Sequence, residues 1–199
     1  MKISAITAQV KTRGRYSIFV DGEYSFSLSE AALIESGLRV GATLEARDLA
    51  AFKELSKTDK LYNRTLALLA RRPRSQKEMV DYLSQKTDDE QIQEKTLNKL
   101  INFGFIDDQA FATAWVESRR LLKSTSRRKL RLELLQKGIS DEIITSVLAA
   151  DQTDELTMLR ELIAKKRRQS RYQDQTKLMQ YLVRQGFSYS DVKEALKES

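Results

Sequence analysis

Three segments of the chain share one hydrophobic pattern. Residues 75–83, 126–134 and 174–182 each open on a good helix-capping residue (Ser75, Ser126, Asp174). Each then carries apolar residues four and eight positions later: Met79 and Leu83, Leu130 and Leu134, Leu178 and Leu182. The starts lie 51 and 48 residues apart. A period near fifty belongs to stacked helical arrays, in which neighbouring units bury each other's apolar faces. Such arrays offer long surfaces to macromolecules, so the pattern points to binding before any catalytic motif is considered.

The three segments read as the second helices of three-helix units. First helices carry Leu61, Thr65 and Leu69, then Phe111, Ala114, Trp115 and Leu122, then Leu156, Leu159 and Ile163. Third helices place Ile92, Leu97 and Leu100, then Ile144, Val147 and Leu148, then Val192, Ala195 and Leu196 on one face. Gly138 and Gly186 fall where second helices end, and Gly104 closes a longer third helix in the first unit. Ser75 and Glu78 have the spacing of a capping box.

The first fifty residues differ in kind. Residues 3–10 partly alternate, residues 15–20 have strand composition, and Tyr24, Phe26 and Leu28 alternate with polar neighbours. Asp21-Gly22 between the last two runs predicts a tight hairpin, because glycine accepts positive φ. Residues 29–36 read as a short capped helix ending at Gly37. Residues 38–44 read as a turn plus an extended piece, with helix again from about Ala46. The expected organisation is mainly α: a small β-rich module over 1–55, then three-helix repeats over 56–106, 107–150 and 151–199.

Composition narrows the function. The chain has no cysteine and no histidine, which removes disulfides, thiolate metal sites, the usual general base and any Ser-His or Cys-His nucleophile. No Gly-rich phosphate loop occurs. Nothing reads as an active site, and no cofactor is implied. The start Met1-Lys2-Ile3 lacks the apolar core of a signal peptide, and no run approaches the roughly 18 apolar residues of a membrane span. The expected place is the cytoplasm.

Net charge is +7. Residues 1–55 hold seven basic and seven acidic side chains, so the whole excess lies in 56–199. It gathers where first helices meet second helices: Arg71, Arg72 and Arg74; Arg119, Arg120 and Lys123; Lys165, Lys166, Arg167, Arg168 and Arg171. Cations favour helix C-termini, but capping rarely needs three to five. Nor does capping explain Arg127, Arg128 and Arg131, which share an arc of roughly 100° beside the Leu130 and Leu134 stripe. These residues form the candidate binding surface. Interleaved aromatics are missing from the sequence pattern, so phosphates or protein carboxylates are the expected targets. In Gly104-Phe-Ile-Asp-Asp108, Asp107 or Asp108 reads as the cap of the following helix rather than the pair as metal ligands, Phe105 and Ile106 as an apolar plug, and Trp115 as core.

Several motifs occur together and in order. They are Arg74-Ser75-x-x-Glu78 running into Leu83; Gly104-Phe-Ile-Asp-Asp108-x-x-Phe111-Ala112 with Trp115 and Arg119; and Arg127-Arg128-x-x-Arg131-x-Glu133-Leu134 closing on Lys137-Gly138-Ile139. With them, residues 59–199 resemble the RecX regulatory proteins of bacteria, and the 15–45 module resembles the N-terminal extension of longer members. The resemblance implies tandem three-helix repeats in an elongated, curved molecule. It also implies binding to the RecA recombinase, chiefly as its filament on single-stranded DNA, and inhibition of recombinase, ATPase and co-protease activities. The basic residues would then face RecA or DNA, with the second unit as the main contact. An array with polar ends is expected to be monomeric. The alternative reading is a general DNA-binding protein or helix-turn-helix transcription regulator, with residues 126–137 or 140–149 as its recognition helix.

Overall fold

Asp21 and Gly22 both take positive φ, 50° and 90°, as a two-residue hairpin turn of this hand requires. They join β2 (Arg15–Val20) to β3 (Glu23–Ser29), with Val20 opposite Glu23. β1 (Ile3–Ala8) pairs antiparallel on the other side of β2, giving the order β1-β2-β3. The computed structural model describes residues 1–197. After the sheet come α1 (Glu30–Ser36), α2 (Ala46–Leu69), α3 (Gln76–Ser84) and α4 (Glu90–Asn102). Then follow α5 (Asp108–Leu122), α6 (Arg127–Gln136) and α7 (Asp141–Ala150). The last elements are α8 (Glu155–Arg167), a 3-10 turn at Ser170–Tyr172, α9 (Gln175–Arg184) and α10 (Tyr189–Lys197). The chain is thus mainly helical, with tandem three-helix repeats behind a small antiparallel sheet.

It divides into two compact units. The first holds Met1–Pro73 and Met79–Ile106. Its sheet buries Ile3, Ile18, Phe26 and Leu28 against Leu44 and Ala32. α2 is one unbroken helix that packs on both β3 and α4. Its hold on the sheet is polar as well as apolar. Asp59 pairs with the Arg15 guanidinium at 3.0 Å, with both side chains under a tenth exposed. Asp59 also accepts the Ser29 backbone N–H and hydroxyl. Arg15 in turn donates to the Ser27 hydroxyl and carbonyl, so this buried ion pair has the extra hydrogen bonds that burial demands. Further along, Met79, Leu100 and Ile106 pack beneath Tyr62 and Leu66 of α2.

The second unit holds Arg74–Glu78 and the chain from Asp107 onward. Phe111, Val116, Leu130, Leu134, Ile144 and Val147 form the core of α5–α7. Leu159, Ile163, Leu178, Leu182, Phe187 and Val192 form that of α8–α10. The apolar pairs that revealed the repeat are all at its centre: Met79, Leu130, Leu134, Leu178 and Leu182 are fully buried, and Leu83 is nearly so.

Caps fall where the sequence predicts them. Ser126 accepts the Lys129 amide, Asp107 accepts that of Ala110, and Asp174 accepts those of Thr176 and Lys177. Several expectations change. On α5, Ala114 and Leu122 are exposed, and Ala112 and Val116 hold the core positions instead; on α8, Leu156 is exposed. Ile106 is buried, but Phe105 is half exposed and is no plug. Trp115 packs against the α5–α7 core from its edge and is only half-buried, because its indole N–H turns outward to a carboxylate.

Candidate interaction surface

The carboxylate that turns Trp115 outward belongs to Glu133. One oxygen of Glu133 accepts the Trp115 Nε1–H at 2.9 Å and the Arg119 Nε–H at 2.7 Å. Arg119 also lies over the indole, 4.2 Å from its ring centroid, with Lys137 Nζ 5.2 Å from the same ring. Phe111 stacks against Trp115 at 5.7 Å. α5 and α6 supply these groups four residues apart or from facing turns, so the cation–π pair follows directly from helical spacing. Third-repeat α8 repeats the theme: Lys166 Nζ sits 4.7 Å from the Tyr181 ring and 5.3 Å from Tyr172, with Arg171 also over Tyr172. Aromatics do interleave with the cations, therefore: Arg119 and Arg171 meet rings close by in the sequence, whereas Lys137 and Lys166 reach Trp115 and Tyr181 from well beyond a helical turn.

The candidate cations fall into distinct settings. Arg71 and Arg72 lie in the first unit, exposed just beyond α2, with Arg72 donating to the Pro73 carbonyl. Arg74, in the second unit, is half-buried, and its Nε is buried without a hydrogen-bond partner. Arg120 is the most enclosed: its side chain is 11% exposed and pairs with Asp151, itself 8% exposed, at 2.5 Å. Arg120 also donates to the Thr125 carbonyl and approaches Glu155 at 3.7 Å. Arg127 donates to the Asp151 carbonyl at 2.6 Å, and its backbone N–H donates to Glu155. Arg131 pairs with Asp141 at 2.5 Å. The arc of Arg127, Arg128 and Arg131 thus contains two arginines already facing carboxylates or carbonyls. Arg128 is exposed and, among the described residues, has no ion-pair partner. Lys123 caps α5, Lys165, Lys166 and Arg167 fill the last turn of α8, and Arg168 follows. Of these, Lys123, Lys165 and Arg168 are exposed.

Burial alone would push the Asp151 carboxyl up. Hydrogen bonds from Arg120 and Thr153 outweigh it and hold the group below the ordinary carboxylate range. Asp108 shifts the other way: burial raises it, against the Gln76 N–H that it accepts at 2.7 Å, and neighbouring Asp107 adds to the rise. Both aspartates of the 107–108 pair are therefore occupied by helix N-termini, Asp107 at α5 and Asp108 at α3. Among the described residues no group of three or more acidic side chains gathers closely enough to hold a metal ion, and no helix is long and apolar enough to cross a membrane.

Lys129 and Lys137 are functional candidates that the sequence pattern passes over. Lys129 donates to the Gln185 side chain at 3.0 Å, and Lys137 pairs with Glu78 at 2.7 Å. The signal for both was their place in the repeat, one at the start and one at the end of the second helix.

Four family models match the chain in order. They are described as the regulatory protein RecX N-terminal domain (residues 1–45) and the first, second and third three-helix domains of RecX (62–100, 107–148 and 153–196). The regulatory protein RecX of Oceanobacillus iheyensis is 34% identical over 94% of this chain and 72% of its own. That of Listeria innocua is 31% identical over all of this chain and 76% of its own. A crystal structure of a regulatory protein RecX, 32% identical, superposes with a TM-score of 0.77 over 100% of this chain and 99% of its own. The structure of RecX from Lactobacillus salivarius, 28% identical, gives 0.59 over 71% of this chain and 95% of its own.

Proposed function

The chain belongs to the RecX family of regulatory proteins, and from that premise we propose that it binds the RecA recombinase, chiefly as its filament on single-stranded DNA, and inhibits it. Recombinase, ATPase and co-protease activities would all fall, because a protein lodged along the filament blocks its extension or promotes its disassembly. The role is non-enzymatic, exercised in the cytoplasm by a monomer that takes part in DNA repair, recombination and the SOS response.

The observation that supports this reading best is the distribution of uncompensated charge. Exposed Arg128, Lys123, Lys165 and Arg168 lie on the second and third repeats, and Arg71 closes the first helix of the first. Cations without carboxylate partners are available to phosphates or to an acidic protein surface. Arg119, Arg120, Arg127 and Arg131 support the surface from within, holding neighbouring helices through Glu133, Asp151 and Asp141. In this assignment Arg128 is the leading contact of the second repeat.

The test is the single-stranded-DNA-dependent ATPase of the cognate RecA, titrated with substoichiometric protein. Strong inhibition that excess DNA does not relieve supports a filament regulator. Inhibition abolished by excess DNA would leave a general DNA-binding protein as the better account, and steep salt dependence on duplex alone would accompany it.

A further inference from the structure

Between the second and third repeats, inside the second unit, lies a cavity of about 470 Å³. Lys123 from the end of α5, Lys129 from the first turn of α6, and Lys165 and Lys166 from the last turn of α8 all line it. Among the described residues, none of the four has a carboxylate within ion-pair distance. Lys129 is held by the neutral Gln185 amide and the Arg184 carbonyl, and Lys166 by the Tyr181 and Tyr172 rings. Two other charges on the wall are already spent. Glu133 faces Arg119 and the Trp115 N–H, and Arg120 faces Asp151. Four positive charges therefore converge on one concavity with nothing in the fold to neutralise them.

We infer that this cavity is a binding site for a nucleoside polyphosphate. Four lysines around a common space repel one another, and an anion of comparable charge relieves that repulsion. The phosphate chain of a nucleoside triphosphate carries that charge along a length several lysines can share, whereas inorganic phosphate engages one or two. The volume lies in the range of small-ligand pockets rather than of a flat backbone track. Apolar wall completes the match. Leu121 and Leu122, 85% and 72% exposed, line the cavity, so a base has apolar surface to lie on. The site shares Lys123 and Lys165 with the cations assigned above to the filament or DNA, but binding of a nucleotide there does not depend on recognition of RecA. A DNA strand carries the same phosphates and is the competing source.

The experiment is calorimetric titration of the full chain with ATP, pyrophosphate and inorganic phosphate, repeated with a single-stranded oligonucleotide. Trp115, the one tryptophan, serves as a second reporter because its N–H partner Glu133 lines the cavity. One ATP should bind per chain, with inorganic phosphate at least roughly tenfold weaker, as loss of one or two charge-assisted contacts requires. Lys123→Gln and Lys165→Gln, both at exposed positions, should each weaken ATP by roughly tenfold, while Lys193→Gln on α10 leaves it unchanged. Absence of ATP binding up to millimolar concentration would overturn the inference, as would equal weakening by Lys193→Gln. So would an oligonucleotide that displaces ATP and loses as much affinity in the Lys123 and Lys165 variants, since the cavity would then be a stretch of DNA track. An oligonucleotide that binds elsewhere without displacing ATP upholds it.

Discussion

Ser126 donates its hydroxyl to the carbonyl oxygen of Gln185 at 3.0 Å while accepting the Lys129 amide at 3.2 Å. One buried side chain, 2% exposed, thus caps its own helix and grips the end of the corresponding helix in the next repeat. Ser75 does the same, donating to the Lys137 carbonyl at 2.7 Å and accepting the Glu78 amide. Asp174, at the equivalent place in the last repeat, is exposed and caps only its own helix.

The double role separates by substitution. Ser126→Asp keeps an oxygen to cap α6 but has no proton to donate, and it brings a charge into a buried site; about 2–3 kcal/mol of stability should be lost. Ser126→Ala loses cap and donor together and should cost about 1–3 kcal/mol. Asp174→Ser should stay within about 0.5 kcal/mol of the parent, like other exposed substitutions that keep a cap. Urea unfolding of the three variants checks the order, and a Ser126→Asp protein as stable as the parent would remove the inter-repeat bond from the account.

Glycines at the helix ends should respond according to what faces them. Gly186 has φ of +92°, and a Cβ there would stand 2.3 Å from the Ser126 hydroxyl and 2.8 Å from Lys129 Cβ. Gly104 has φ of +71° and open space around it. Gly104→Ala should cost about 1 kcal/mol for backbone conformation alone, and Gly186→Ala about 3 kcal/mol or more, because close packing must also yield. Equal losses in thermal unfolding would show that the Gly186 contact carries no weight.

Charge placement predicts opposite behaviour for two arginines in the same basic region. Arg120→Ala leaves the buried Asp151 carboxylate without its main partner and should destabilise the protein by about 3 kcal/mol. Arg128→Ala should leave the melting curve within about 0.5 kcal/mol of the parent and weaken binding to the filament or DNA. Denaturation and binding assays on the pair settle whether structural and contact cations have been told apart.

Acid should act through the same Asp151. Its carboxyl titrates below the ordinary 3.8 in the folded chain, so the folded state binds fewer protons than the unfolded state across that interval. Its contribution is therefore complete above the unfolded value and disappears as pH falls through the lower folded value. The stability gap between the parent and Asp151→Asn should be constant near neutrality and narrow below about pH 4. A gap that widens on acidification would reverse the assignment.

Trp115→Ala should cost about 2–3 kcal/mol, less than the truncation of a fully buried ring, because one edge of the indole is wet. Trp115→Phe retains the stack on Phe111 and loses the bond to Glu133, for about 1 kcal/mol. Chemical denaturation followed by far-ultraviolet dichroism measures both.

Local chemistry was legible in the sequence wherever a few adjacent residues decide it. Asp21-Gly22 announced the hairpin, Ser126 and Asp107 announced helix starts, and Gly138 and Gly186 announced helix ends. The buried stripe at Leu130 and Leu134 followed from spacing alone. Pairings that span distance were not legible. Arg120 meets Asp151 across 31 positions, and Trp115 meets Glu133 across 18. A run of cations on one helix looks the same whether its partners are solvent or carboxylates arriving from elsewhere. Trp115 was read as core for the same reason: its apolar stripe was visible, and the acceptor that draws its N–H outward was not.

Asp174 marks a change of joint. The Ser75 and Ser126 hydroxyls each place a proton on a carbonyl one repeat ahead, whereas the Asp174 carboxylate has no proton to place and serves its own helix. The chain can therefore be lengthened by rule. Tandem duplication of residues 126–173 inserts one more serine with a glycine-terminated helix for it to grip, and leaves Asp174 capping its own helix as before.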